Sequence, residues 1–385
     1  MTRTLLAIAL LLLGSACTPE PAAENDSGLE LPPAEEDYEE TPYKWGYIDQ
    51  SGRLAITAVF DDARAFSEGL AVVRQGGRWG FIDKGGRFVV PPRYQGAWSF
   101  SEGRARVQTF DNKMGFINRK GAWAIEPTFE EAEDFHYGRA RVRREATYYY
   151  VDRAGQSITE AGFSDADPSF ERGYAAIFKD GAYGLIDTSG RLVVPADYQR
   201  VHPFSGGLAR VRRDERYGFV DRGAEVVVPL TLKSAGDFQD GLAAGKQDKL
   251  YGLIDTTGGF VVEAAYEHLW YAGEGYWGAA KGGRYGFIDG KGRSLTPFQY
   301  DQLYRFTEGR TFYRLDRLWG LMDVEGKVLT SPQYGLAWPF RERLARAAVY
   351  GGIAFINRSG ETAIEPRYLD ARDFSEGLAQ VQVHR

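Results

Sequence analysis

WGYID at 45–49, WGFID at 79–83 and YGLID at 183–187 are one short sequence met three times. The thread continues as MGFIN at 114–118, YYYVD at 148–152, YGFVD at 217–221, YGLID at 251–255 and YGFID at 285–289. It closes with WGLMD at 319–323 and IAFIN at 353–357. Successive copies lie 34 or 35 residues apart, so the chain reads as a tandem array of about ten units.

Other positions keep the same phase. An aromatic recurs at Phe60, Tyr94, Phe129, Tyr198, Tyr266, Tyr300 and Tyr334, with a small residue three places on, as at Ala63, Ala97 and Ala132. Three further on stands Phe66, Phe100, Phe135, Phe170, Phe204 or Phe238, followed by a turn ending in glycine. An alternating apolar run comes next, such as LAVVR at 70–74 or LARVR at 208–212. Each unit therefore predicts three strands. The first is the GFID run. The second is a short run ending in proline, as RFVVP at 87–91, which suits a sheet edge. The third is the LAxV run, turned back by two or three polar residues into the next GFID strand. The aromatic–Ala–Phe stretch between the second and third strands has the spacing of one helical turn or a compact loop. No single unit can bury its own rings, so stability is expected from stacking neighbours.

These motifs together resemble the WG-repeat (KWG-repeat) family of bacterial β-repeat proteins, over residues 43–385. The resemblance implies an all-β scaffold with interaction roles and no reaction. Two units depart from it: Tyr148-Tyr149-Tyr150 lacks the glycine, and Ile353-Ala354 lacks both aromatic and glycine. The array starts on a first strand and ends on a third, an offset that the final strand could close into a propeller-like ring. Ten units exceed the usual four to eight blades, so the expectation is an open twisted solenoid, with the closed ring as its alternative.

The N-terminal end reads as targeting sequence. Arg3 precedes an apolar run from Leu5 to Leu13, too short to span a bilayer as a stable helix. Gly14-Ser15-Ala16-Cys17 follows and resembles the lipobox of bacterial lipoproteins, which implies lipidation of Cys17. Residues 1–16 are then a signal peptide. Cys17 is the only cysteine, so no internal disulfide is possible. Residues 17–42 form a linker with nine acidic residues, five prolines and no Lys or Arg, unable to bury enough apolar surface to order itself. Removing the linker's nine negative charges and Arg3's positive one from the total of −6 leaves +2 for residues 43–385. That near-neutral body argues against nucleic acid as the partner. Contact with a membrane is expected through the lipid anchor only.

The recurring Asp residues precede a turn glycine and read as turn caps. The recurring Glu68, Glu102, Glu274, Glu308, Glu342 and Glu376 stand before turn glycines and read as structural, because catalysis would need one special pair. His136, His202, His268 and His384 lack zinc-site spacing. No cofactor, metal or catalytic site is expected. One position varies more than its neighbours: Arg64, Trp98, Glu133, Asp167, His202, Gly236, Trp270, Tyr304, Trp338 and Arg372. Five of these ten carry rings, which suits a ligand-binding ladder of Trp98, His202, Trp270, Tyr304 and Trp338 centred on Trp270. The expected function is a non-catalytic scaffold, exported and lipid-anchored on the outer-membrane or periplasmic side. Its expected partner is an envelope protein or a glycan such as peptidoglycan. A structural spacer and an envelope-polymer hydrolase are the alternatives.

Overall fold

The computed structural model describes residues 42–384. The expected signal peptide, Cys17 and all of the expected linker but Pro42 lie outside the described residues. Ten antiparallel sheets follow one another through the array. In blade 1 the order is Asp62–Ala63, Leu70–Gln75, Arg78–Asp83 and Phe88–Tyr94. The LAxV and GFID strands pair residue for residue, from Leu70↔Asp83 to Gln75↔Arg78. The stretch expected as a helical turn or loop is instead a short strand, here Asp62–Ala63, which pairs with Arg74 and Val73. Blades 2 to 6 open on Gly96–Ala97, Glu131–Ala132, Asp165–Ala166, Arg200–Val201 and Ser234–Ala235. Blades 7 and 8 open on His268–Gly273 and Gln302–Leu303. Blade 9 opens on the bridge Ala337↔Ala347 and blade 10 on Asp370–Ala371.

Blade 10 overturns the open solenoid. Its strand order is Leu54–Phe60, Tyr43–Asp49, Leu378–His384, Asp370–Ala371, so both ends of the described chain build one sheet. Seven residue pairs join them, from Tyr43↔His384 to Asp49↔Leu378. The array is a closed ten-bladed β-propeller. A solenoid was expected because ten blades exceed the common range, but the half-unit offset of the termini is what decides. Each end is an unpaired sheet edge that only the other can satisfy.

The seam carries the bonds found between other blades. Ser67, Ser101 and Ser205 each donate a hydroxyl to the next blade's Phe carbonyl (Phe100, Phe135, Phe238). Ser375 of blade 10 does the same to Phe66 of blade 1 at 2.8 Å. The six repeated glutamates are structural. Glu68, Glu102 and Glu274 accept the next blade's turn amide from Gly103, Gly138 and Gly309. Glu308 and Glu342 accept from Arg343 and Gly377, and Glu376 completes the pattern by accepting from Gly69 at 3.0 Å. Edge-to-face ring pairs also bridge blades: Phe81–Phe100, Phe116–Phe135, Phe219–Phe238 and, into the seam blade, Phe355–Phe374. Such pairs add about 1 kcal/mol beyond the area they bury.

The signature glycine has a steric cause. Strand pairing jumps from Trp79↔Tyr94 to Phe81↔Val90, so the proline strand bulges outward between two contacts. A Cβ on Gly80 would stand 2.6 Å from the Val90 carbonyl oxygen and 2.8 Å from the Pro92 nitrogen. Gly46, Gly218 and Gly252 meet the backbone of their own outer strands as closely, whether or not that strand carries a proline. Where the glycine is replaced, that strand fails. Tyr149 takes its place in blade 3, and only the isolated bridges Tyr148↔Phe163 and Val151↔Ser157 remain. Ala354 takes it in blade 9, where the strand shrinks to Thr362–Ile364. Blade 7 keeps Gly286 but has Pro297 and Phe298 against it, and also lacks a regular fourth strand.

Each Asp after the GFID run caps its turn. Asp83 accepts the amides of Gly85 and Arg87, and Asp49 those of Ser51 and Arg53. The Arg87 amide above all holds the Asp83 carboxyl below its ordinary range, as the Ser51 hydroxyl does for Asp49. A depressed carboxyl stabilises the fold above the ordinary carboxylate range and loses that contribution as pH falls below about 4. Asn118 and Asn357 cap two turns in the same way through their amide oxygens. Asp83→Asn is therefore expected to leave Tm at pH 7 nearly unchanged and to flatten the acid limb. Asp83→Ala should lower Tm by roughly 2 °C. Thermal melts of the three proteins from pH 7 to pH 3 check this.

Candidate functional site

The strands that follow the GFID strands carry the exposed apolar residues Leu54, Phe88, Leu192, Val226 and Val328, which marks them as the outer rim. The opposite edge of each blade, the short strand, faces the ring axis. The variable position lies on this inner strand in blade 7 and directly after it in blades 2, 5 and 8. Its amide donates to the LAxV strand in blade after blade: Trp98 to Arg106, His202 to Arg210, Tyr304 to Phe312 and Trp338 to Arg346. The candidate residues thus form an inner-wall ladder, one to a blade, on blades 2, 5, 7, 8 and 9.

All five are half-buried. Among the described residues, no ring contact joins two of them; each packs against its own blade, and Trp98 also meets Arg64 of blade 1 at 5.9 Å. The Arg106 guanidinium lies 4.6 Å from the Trp98 ring centre, and Arg346 lies 4.4 Å from that of Trp338. Tyr304 packs at 4.3 Å on Trp319. Trp270 meets Tyr285 edge-on at 5.9 Å and lies so close on Gly278 that a Cβ there would stand 2.1 Å from the indole. His202 is pushed down to about 4 by burial and by Arg210, so it is neutral at pH 7.

Sequence reasoning missed the arginines beneath the ladder. Arg106, Arg141, Arg210 and Arg346 hold the same LAxV position, and each donates to the next blade's inner-strand carbonyl at Ala132, Ala166, Ala235 and Ala371. Three also pair with that blade's acid: Arg106 with Asp134 at 2.9 Å, Arg210 with Asp237 at 3.3 Å, and Arg346 with Asp373. The guanidiniums are at most 17% exposed, so these pairs clip blade to blade in a low-dielectric wall. Burial raises Asp134 in spite of Arg106. The in-phase Arg of the LARVR runs was the available signal.

A cleft of about 420 Å³ opens on this wall at blades 6 and 7, around Gly236 and Trp270. Glu171 and Arg172 of blade 4 and Arg305 of blade 8 border it too. Loops so far apart in sequence order meet there because all of them belong to the inner edge.

The fold and its inner wall define a ten-bladed β-propeller whose variable side chains face the axis. Nine segments match the WG containing repeat: 45–79, 79–113, 114–148, 183–217, 217–251, 251–285, 285–319, 319–351 and 354–384. The chain belongs to that family. The unmatched stretch between 148 and 183 holds the irregular outer part of blade 3. No curated protein matches the sequence. Among solved structures, a eukaryotic initiation factor is similar at TM-score 0.46 and 12% identity, over 83% of this chain and 94% of that one. BamB from Moraxella catarrhalis is similar at TM-score 0.35 and 12% identity, over 83% and 95%. The computationally designed Ika8 protein follows at 0.34 and 11%, over 77% and 93%.

Proposed function

We propose that this protein is a non-catalytic binding scaffold of the bacterial envelope, held to a membrane through a lipid on Cys17. The observation that carries the reading is the inner-wall ladder, where Trp98, His202, Trp270, Tyr304 and Trp338 place five half-buried rings at one repeat position, directly after a small or apolar residue. Rings at half exposure offer flat apolar faces for stacking on sugars or for anchoring a protein segment. The partner is an envelope glycan such as peptidoglycan or an envelope protein. The acidic, proline-rich linker gives the ring reach from the lipid surface. Tyr43 and His384 stand side by side, so such a tether leaves the ring at a single point on blade 10.

The test is co-sedimentation of the purified chain with peptidoglycan sacculi, beside Trp98→Ala/Trp270→Ala/Trp338→Ala. The native chain should pellet and the folded triple variant should not. If neither pellets, the glycan partner is wrong and cross-linking in cells should seek a protein. The stacking of Arg106 on Trp98 and Arg346 on Trp338 favours a second reading, in which those rings only lock blades together. That reading predicts that the triple variant unfolds, with a loss on the order of 3–5 kcal/mol at each buried ring.

A further inference from the structure

Two positions fill the inner wall between most blades: the ladder side chain and, in blades 2, 3, 5 and 9, the arginine clip. Blade 6 has neither. Its ladder residue is Gly236, and Ala244 stands where Arg210 stands one blade earlier. In blade 7 the clip position is Gly278, which lets the Trp270 ring settle onto its own strand. Three small residues on two adjoining blades thus open the cleft.

What lines the opening is specific. Trp270 and Tyr271 supply ring surface on one side. Tyr271 is fixed by donating its hydroxyl to Asp240 at 2.6 Å and by edge-on contact with Trp277. Gln239 donates its Nε2 to the Ser205 hydroxyl at 3.5 Å and offers its amide oxygen. Two guanidiniums border the rim. Arg172 pairs only with its neighbour Glu171 at 3.3 Å, and Arg305 has no hydrogen bond, ion pair or ring contact among the described residues. An arginine without a partner beside an aromatic wall is a carboxylate receptor next to a stacking surface.

We propose that this cleft binds a sugar bearing a carboxylate, with its pyranose face on Trp270, its acid on Arg305 and Arg172, and a hydroxyl on Gln239. The proposal rests on the inner-wall binding reading and gives it a ligand class and a place. A neutral sugar would leave Arg305 unpaired and gain only the stacking contact.

The test is calorimetric titration of the full chain with glucuronate and, separately, with glucose. Native protein should bind glucuronate saturably and at least about tenfold more tightly than glucose. Arg305→Gln should erase that preference while keeping the weak binding of glucose. Gly236→His, which restores the ladder residue of blade 5, should abolish both. The replacement fits the backbone, because the nearest atom to a new Cβ is Ala244 Cβ at 3.7 Å. Equal affinity for the two sugars, no saturable binding of glucuronate, or binding that survives Gly236→His would each overturn the proposal. If sacculi pellet the native chain and Gly236→His equally well, this site is wrong while the scaffold reading stands. If glucuronate binds as expected and sacculi do not pellet the chain, the polymer partner is wrong while the site stands.

Discussion

Deleting residues 378–385 is expected to destroy cooperative folding of the whole body. Leu378–His384 pairs along its full length with Tyr43–Asp49. Ala379, Gln380 and Val381 are at most 1% exposed, and Leu378 is 8% exposed. Removing them also leaves the buried ring of Tyr47 under an open edge and strips the seam of half its sheet. The lost apolar burial and ladder bonds amount to roughly 5 kcal/mol or more, comparable with the entire stability of many domains. In an open array the same deletion would trim one terminal half-unit and cost only a local interface. Circular dichroism melts with limited proteolysis distinguish the two. Loss of the transition and general protease sensitivity are expected here, whereas a Tm lowered by a few degrees with intact cooperativity would count against closure.

Gly80→Val is expected to cost about 3 kcal/mol or more, a large effect for one substitution in the middle of the interior strand Arg78–Asp83. The new Cβ would meet the Val90 carbonyl oxygen at 2.6 Å and the Pro91 carbonyl carbon at 2.9 Å. Both are backbone atoms, so no rotamer relieves the clash and the bulge of Phe88–Tyr94 must move. Val90 is 1% exposed and belongs to the core shared with Phe81, Tyr94 and Phe100, so that movement disturbs the packing of the next blade. The reverse change, Ala354→Gly in blade 9, faces only the shortened strand Thr362–Ile364 and should stay within about 1 kcal/mol of the native protein. Denaturant titrations of both variants check the pair. Equal, small effects at the two sites would mean that the glycine marks the family for some other reason than room for the bulge.

Much of this structure was legible in the sequence because it is local. The period, the GFID and LAxV strands, the Asp-capped turns and the edge position of the prolines follow from patterning within one unit. The two departing units were legible too, and Tyr149 and Ala354 now explain why blades 3 and 9 have an absent or shortened outer strand. The short inner strand was not, because Asp62–Ala63 pairs only where the end of Leu70–Gln75 offers it partners. Closure was not settled either. The half-unit offset of the termini was visible, but whether the two ends meet also needs the small rotation between blades summed over ten of them, which no single repeat reports. The ladder was visible as a varying position, but its packing was not, since Trp98 meets Arg106 through cross-strand register and not through spacing. The cleft at Gly236 needed three small residues on two blades to be seen together.

The claim on which the rest stands is that the chain closes on itself, and an engineered cross-link tests it most directly. The rings of Tyr43 and His384 lie with centres 5.0 Å apart on paired strands. Such side-chain proximity suits a disulfide. In a Cys17→Ser background, which leaves no other thiol, Tyr43→Cys/His384→Cys should form an intramolecular disulfide in mild oxidant. Non-reducing electrophoresis and mass spectrometry should find it in a monomer, with a raised Tm. If oxidation gives only cross-linked dimers and free thiols, the two ends do not share a sheet and the ring is open.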